Sequence, residues 1–356
     1  MIRSVITATG SYIPETIVRN QDFLTTPFFS QDGLALATPP TTLLDQFEAI
    51  TGIHQRRYAR PHQQASDLGL LAAQQALSSA GIDPETLDYL IVAHNFGDVA
   101  HQSNRVSLVP SLASRIKAGL AIKNPQCVAY DLAFGCPGWL EGVIQANYYI
   151  QSGDAQRCLI IGTETLSRVI DPGDRDSLLF SDGSGAIILE ACSTGQTGLL
   201  AHHTQTHAYE HVNLLKMDKA YQHTDDKRAD RFMKMSGRKL YEFALQQVPQ
   251  VIKRALDKAG ISLTVIKKIL IHQANQKMDV AILNRLFKLY DQECPDLELM
   301  PMTISWLGNS SVATIPTLLD LIRRGQLVNQ RIAVGDTIVL ASVGAGMSIN
   351  AVVYQF

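Results

Sequence analysis

Three turns in this chain carry side chains that could do chemistry together. Cys136 lies in Asp131-Leu132-Ala133-Phe134-Gly135-Cys136-Pro137-Gly138, after an apolar run and before a helical pattern. Gly135 supplies the tight turn. Pro137 stands where a helix begins, since its missing N–H is unpaired there in any case. That puts Cys136 at the helix N-cap, where free backbone N–H groups and the positive end of the macrodipole favour a thiolate. A lone cysteine with apolar neighbours is equally the pattern of an inert core thiol. His272-Gln273-Ala274-Asn275 ends a second apolar run and opens a helix, and Gly308-Asn309-Ser310-Ser311 precedes another. Ligand sites of open α/β sheets collect at such strand-to-helix turns. Cys, His and Asn on three of them describe a nucleophile with two polar partners.

The elements that must position these turns alternate along the chain. Apolar residues at 68, 72, 73, 76 and 77 predict a helix over Ser66–Ala80, capped by Ser66 and stopped by Gly81. Tyr89–Ala93, Cys127–Leu132 and Arg157–Gly162 read as buried strands, and Leu140, Val143, Ile144 and Asn147 continue a helix to Gly153. In the second half, Lys239–Ala259 is a long amphipathic segment expected to bend or break near Pro249. Lys268–His272 and Asp336–Ser342 read as strands, Gln276–Leu289 and Val312–Arg324 as helices. The alternation predicts mainly parallel sheets covered by helices. A small-residue turn runs into an apolar strand at both Gly183–Leu189 and Gly344–Ile349, which points to two related halves, residues 1–195 and 196–356.

Two stretches are less regular. Asn95–Pro110 reads as a polar loop. Tyr209–Arg238 gathers Lys216, Lys219, Lys227, Arg228, Arg231, Lys234 and Arg238, either a solvated surface or a mildly basic rim for a phosphorylated or acidic partner. The net charge of −2 gives no reason to expect nucleic acid or an anionic membrane surface. Five scattered cysteines without a CxxC pair argue against a disulfide framework or a zinc site. The N-terminal apolar stretch is too short for a signal peptide and no run is long enough to span a bilayer, so a cytoplasmic α/β protein is expected.

With these motifs in place, the chain resembles the 3-oxoacyl-(acyl-carrier-protein) synthase III family of the thiolase superfamily. The Cys136 turn, His272-Gln273-Ala274-Asn275 and Gly308-Asn309-Ser310-Ser311 carry the likeness, with Thr9–Glu15, Thr51-Gly52-Ile53, Gly162–Arg168, Phe180–Ala186 and Gly344-Ala345-Gly346. The resemblance implies a thiolase-like five-layered α/β/α/β/α fold, a homodimer, and a ping-pong condensation needing no metal or cofactor beyond its thioester substrates. Cys136 would take an acyl group from acyl-CoA or an acyl carrier protein. His272 and Asn309 would hold the thioester carbonyl of malonyl on its carrier, and the enolate left by loss of carbon dioxide would attack the acyl-cysteine. The backbone N–H groups of Cys136 and Ala345 would form the oxyanion hole for the acyl-cysteine. Lys277 matches the family's basic carrier-docking residue, and Ser181 and Asp182 read as architectural.

The match departs from the family around the coenzyme. Gln46 and Ile50 stand where acetyl-CoA-using members place a Trp and an Arg against the adenine, and His54 replaces a further Arg. Phe47 remains as a stacking candidate, with Arg56 or Arg57 as cations that could accompany it. The loop over Asn95–Pro110 is longer than in those members and is expected to reshape the acyl pocket. These departures imply a specialised paralogue with a carrier-bound or longer acyl donor. Two alternatives stay open. One is non-decarboxylative condensation, or acyl transfer to an oxygen or nitrogen nucleophile, with Glu164 or His94 as the added base. The other is a non-enzymatic scaffold on the same fold.

Overall fold

The computed structural model describes residues 2–193, 197–222 and 230–356. Two sheets organise it. The first has five strands in the order Arg3–Tyr12, Asp182–Cys192, Arg157–Thr165, Tyr89–His94 and Val128–Ala133. The second has four, in the order Gly198–Thr206, Ser348–Gln355, Thr337–Gly344 and Ile266–Ile271. Read across, the first two junctions of each sheet are antiparallel and the third is parallel, as is the fourth in the first sheet. The same order and direction recur in both halves of the chain. The sheets are thus mixed rather than mainly parallel. A strand buried on both faces is an apolar run whichever way it points, so its pattern carries no direction.

Helices complete five layers. Ala65–Ala80 and Leu112–Gly119 cover the outer face of the first sheet through Leu68, Ala72, Leu112 and Ile116. Gly138–Ser152 and Thr314–Arg323 lie between the sheets, sharing one core with residues of both, such as Ile160 and Val352. Gly237–Ala259 and Gln276–Lys288 cover the second sheet's outer face through Val251, Ile252, Ile282 and Leu286. This is the thiolase-like α/β/α/β/α arrangement.

Several local expectations shift. The helix Ala65–Ala80 is preceded by Gln64 as its cap, whose N–H donates to the Asp67 carboxylate at 2.8 Å. Ser66 is committed elsewhere, donating through its N–H (2.8 Å) and hydroxyl (2.6 Å) to Asp98. Gly237–Ala259 runs unbroken through Pro249, whose buried ring belongs to the helix's packed face. Burial of that apolar face outweighs one missing N–H. The last helical segment opens with a tight turn, Ser311–Ala313, before Thr314–Arg323. Asn95–Pro110 contains a short pairing of Asp98–Val99 with Val106–Ser107.

Candidate active site

The Cys136 turn joins the strand Val128–Ala133 to the helix Gly138–Ser152. Pro137 is the N-cap, so Cys136 falls one residue before it. Gly135 has φ +70°, and a Cβ there would stand 2.9 Å from the Ala345 nitrogen. Gly344 lies closer still: its Cβ would meet the Cys136 nitrogen at 2.6 Å. The two small-residue turns therefore touch through their backbones, with the N–H groups assigned to the oxyanion hole carried on them.

His272 follows the strand Ile266–Ile271, its N–H donating to the Ala341 carbonyl at 2.9 Å. The loop it heads is pinned by Gln273. That side chain donates to the Pro301 carbonyl (2.9 Å) and accepts from the N–H groups of Thr303 (2.9 Å) and Ile304 (3.0 Å). Asn275 caps the next helix through the Met278 N–H at 3.1 Å. Asn309 is fixed by its main chain to the 179–181 segment, with N–H to Leu179 at 2.9 Å and carbonyl to the Ser181 N–H at 2.9 Å. Its Oδ1 accepts the Ser311 N–H at 2.9 Å, which leaves the Nδ2 end to donate to a ligand.

Cys136, His272, Asn309, Ser311 and Gly344 line one cavity of about 740 Å³. Its walls include Leu166, Leu179, Phe180, Met233 and Leu240. Burial pushes the Cys136 thiol up to about 12, against the Ser311 hydroxyl, which donates to Sγ at 3.2 Å and lowers it. Burial pushes the His272 imidazole down to about 4, against the Ser311 main chain. The resting pair is therefore neutral thiol and neutral imidazole. The expected thiolate at a helix N-cap is corrected on both counts: Cys136 is not the capping residue, and desolvation outweighs the helix terminus.

The other sequence-based assignments separate clearly. Gln46, Phe47 and Ile50 line the cavity. Arg56, however, is completely buried, holding the Leu178 carbonyl (3.0 Å) and the Asn20 side chain (2.8 Å) while stacking on Phe23 and Phe47 from inside. Arg57 stacks on Trp306. Neither cation is set to accompany Phe47 against a ligand. Lys277 is exposed on the helix Gln276–Lys288 and does not line the cavity. Of Asn95–Pro110, Asn95 alone lines this cavity. His94 is held by Asp131 at 3.1 Å and by the Gly97 N–H at 3.0 Å, which removes it as a free base. Asp182 accepts from Ala59 (2.7 Å) and Ser167 (2.8 and 2.6 Å), and Ser181 ties to Arg57, so both are structural pins.

Among its described residues the basic stretch is mostly solvent-exposed and largely ion-paired, Arg238 with Glu242. Lys216 and Arg231 pair with Asp218, and Lys234 is buried between Asp171 and Asp174. Lys227 and Arg228 lie outside the described residues. The cations on the cavity wall are Arg175, Arg238 and Lys239. Arg175 and Lys239 went unassigned in the sequence, as did the part played by Ser311.

Comparison with known proteins decides the family. The 3-oxoacyl-[acyl-carrier-protein] synthase III model matches residues 130–208, and its C-terminal counterpart matches 256–356. A β-ketoacyl-[acyl-carrier-protein] synthase III of Paracoccus denitrificans is 31% identical over 361 residues, covering 100% of both chains. The chain belongs to the 3-oxoacyl-(acyl-carrier-protein) synthase III family. One Vibrio vulnificus synthase III is 32% identical over 355 residues, covering 99% of each chain. The crystal structure of the Pseudomonas aeruginosa synthase III superposes with a TM-score of 0.80 at 28% identity, covering 99% of this chain and 98% of that one. As a synthase III, the chain is a condensing enzyme of the acyltransferase type. Among the described residues no helix is long and apolar enough to cross a membrane.

Proposed function

We propose that Cys136 carries an acyl group which the enzyme joins to a malonyl unit, releasing carbon dioxide and a 3-oxoacyl thioester on a carrier protein. Cys136 sulfur bonds to the donor's carbonyl carbon, the donor's C–S bond breaks, and the thiol proton ends on the departing sulfur. The malonyl thioester carbonyl then meets His272 and the Nδ2 end of Asn309. Its C–CO2 bond breaks, the electron pair rests on that oxygen as an enolate, and the enolate carbon displaces Cys136 from the acyl carbon. Two neutral donors suit this role, because each donor aimed at a developing oxyanion contributes about 3–4 kcal/mol. The N–H groups of Cys136 and Ala345 serve the acyl oxygen.

The observation that carries this reading is that Cys136, His272 and Asn309 converge on one largely apolar cavity. Its lining, with Gln46 and Ile50 near Phe47, favours a carrier-bound or longer acyl donor over acetyl-CoA, and hence a specialised paralogue. Lys277, Arg238 and Lys239 offer charge to an acidic carrier protein. The strand Val128–Ala133 ends its sheet with Val128 exposed, an edge suited to pairing with a second copy as a homodimer. The test is intact-mass spectrometry after incubation with acyl-CoA and acyl-carrier thioesters, with carbon dioxide counted when malonyl-carrier is added. The adduct is expected on Cys136 and absent in Cys136→Ala. Product formed without carbon dioxide, or labelling that persists on Cys127, Cys158 or Cys294, would sink it.

A further inference from the structure

A chain of hydrogen bonds reaches the nucleophile from a buried carboxyl group that does not line the cavity. Glu164, 2% exposed, is the penultimate residue of the strand Arg157–Thr165, beside Asn95, which follows the parallel neighbour Tyr89–His94. Glu164 Oε1 accepts from the Asn95 N–H at 2.8 Å and, closer, from Asn95 Nδ2. Asn95 Nδ2 donates its second hydrogen to Ser311 Oγ at 2.8 Å, and Ser311 Oγ donates to Cys136 Sγ at 3.2 Å.

The direction of this chain is not arbitrary. A serine hydroxyl has one hydrogen, and here its oxygen already accepts from Asn95, so that hydrogen is left for sulfur. Were the Asn95 amide reversed, its Oδ1 would face Ser311 and draw that hydrogen away from Sγ. Glu164 prevents reversal, because its oxygen accepts the amide hydrogen and would confront Oδ1 instead. Ser311 cannot swing clear either: its N–H is held by Asn309, and its φ is +53° in a turn that Gly162 admits by lacking a Cβ.

We propose that Glu164, acting through Asn95, is a positioning residue that fixes the Ser311 hydroxyl as a hydrogen-bond donor to the Cys136 sulfur. The donor favours thiolate over thiol where burial and, to a smaller degree, the Glu164 charge itself oppose it, and so sets the rate at which sulfur attacks. The inference rests on Cys136 being the nucleophile.

Alkylation of Cys136 by iodoacetamide, read by intact mass at pH 8, tests it without any acyl substrate. One well-made hydrogen bond to the thiolate corresponds to about a tenfold change in rate. Ser311→Ala and Glu164→Leu should each slow alkylation about tenfold. Glu164→Gln keeps an acceptor oxygen and should stay within threefold of the parent or exceed it. Glu164→Leu placed in the Ser311→Ala background should add nothing, since its effect passes through that hydroxyl. If Glu164→Leu does not fold, Asn95→Ala takes its place in the same cycle. The proposal is overturned if the two losses multiply, if Glu164→Gln is as slow as Glu164→Leu, or if Ser311→Ala alkylates at the parent rate. Failure of the parent's Cys136 to label would instead strike the nucleophile assignment itself.

Discussion

Replacing Gly344 by alanine should separate acylation from folding. Gly344 sits at φ −168°, extended backbone open to any residue, so no torsional strain follows. The cost is contact: the new methyl would lie 2.6 Å from the Cys136 nitrogen, 2.7 Å from Pro137 Cδ and 2.9 Å from Cys136 Cβ. These are a backbone nitrogen, a ring carbon and a Cβ, none of which moves aside by a change of rotamer, so the two turns must part. Overpacking of this kind costs about 1–3 kcal/mol of stability. The larger effect falls on chemistry, because the Cys136 and Ala345 N–H groups lose their common aim, and losing one oxyanion donor costs roughly 100- to 1,000-fold in rate. The assay is single-turnover acylation of Cys136 by mass spectrometry, with thermal unfolding alongside. Gly153→Ala is the control. It caps the helix Gly138–Ser152 at φ +88° with nothing within 4 Å of a Cβ. Left-handed backbone alone costs it about 1–2 kcal/mol, without loss of acylation. Acylation by Gly344→Ala within threefold of the parent, at unchanged stability, would refute the pairing of the two turns.

The remaining predictions follow the same geometry. His272→Ala and Asn309→Ala should each cut malonyl decarboxylation by roughly 100-fold or more, with acylation of Cys136 much less affected; equal losses in both steps would make His272 the thiol's base. Stability should fall on acidification: His272 titrates near 4 in the folded chain against 6.5 unfolded, so between these values the unfolded state binds the extra proton. That is worth about 3 kcal/mol, and urea midpoints of His272→Gln should be flatter over pH 6.5 to 4. Glu164 works the other way, its pKa raised to about 8, so Glu164→Gln should flatten the loss of stability between pH 4.5 and 8. Acetyl-CoA should be a poorer donor than a carrier-bound or longer thioester, by roughly 5–30-fold for the missing adenine stack and cation. Specificity constants for acylation check this, and acetyl-CoA as best donor would mean that the wall near Gln46 and Ile50 binds adenine after all.

Much of the architecture was legible because helices announce their ends. Gly81 and Gly153 stop their helices in left-handed conformation, as the periodic patterns before them require. Strand direction was not legible, because Ile187 and Ile160 are equally buried in antiparallel neighbours and Ile160 and Ile91 in parallel ones. The turns bearing Cys136, His272 and Asn309 could be found from local punctuation by Gly and Pro. Their environment could not. Glu164, Asn95, Ser311 and Cys136 meet only after the chain folds, and nothing local in Asn95 records that its amide will face a serine 216 residues later. The same reason hides Arg56, whose charge suggests a ligand and whose partners are carbonyls of the protein itself.

The helix Thr314–Arg323 covers the inner face of the first sheet, packing Leu318 and Leu319 with Ile187 and Leu189, although it is made from the far end of the chain. Asp320 accepts from the Thr9 and Ser11 hydroxyls, both at 2.7 Å, across 311 and 309 residues. During synthesis the strand Arg3–Tyr12 must therefore wait with one oily face partly uncovered until a helix about 300 residues later has emerged. Closing so long a loop is slow, and an uncovered sheet invites association with other nascent chains. Of these two partners, the one made first is finished only when the second arrives. A chaperone occupying that face, or a delay in translating Thr314–Arg323, should therefore change its yield.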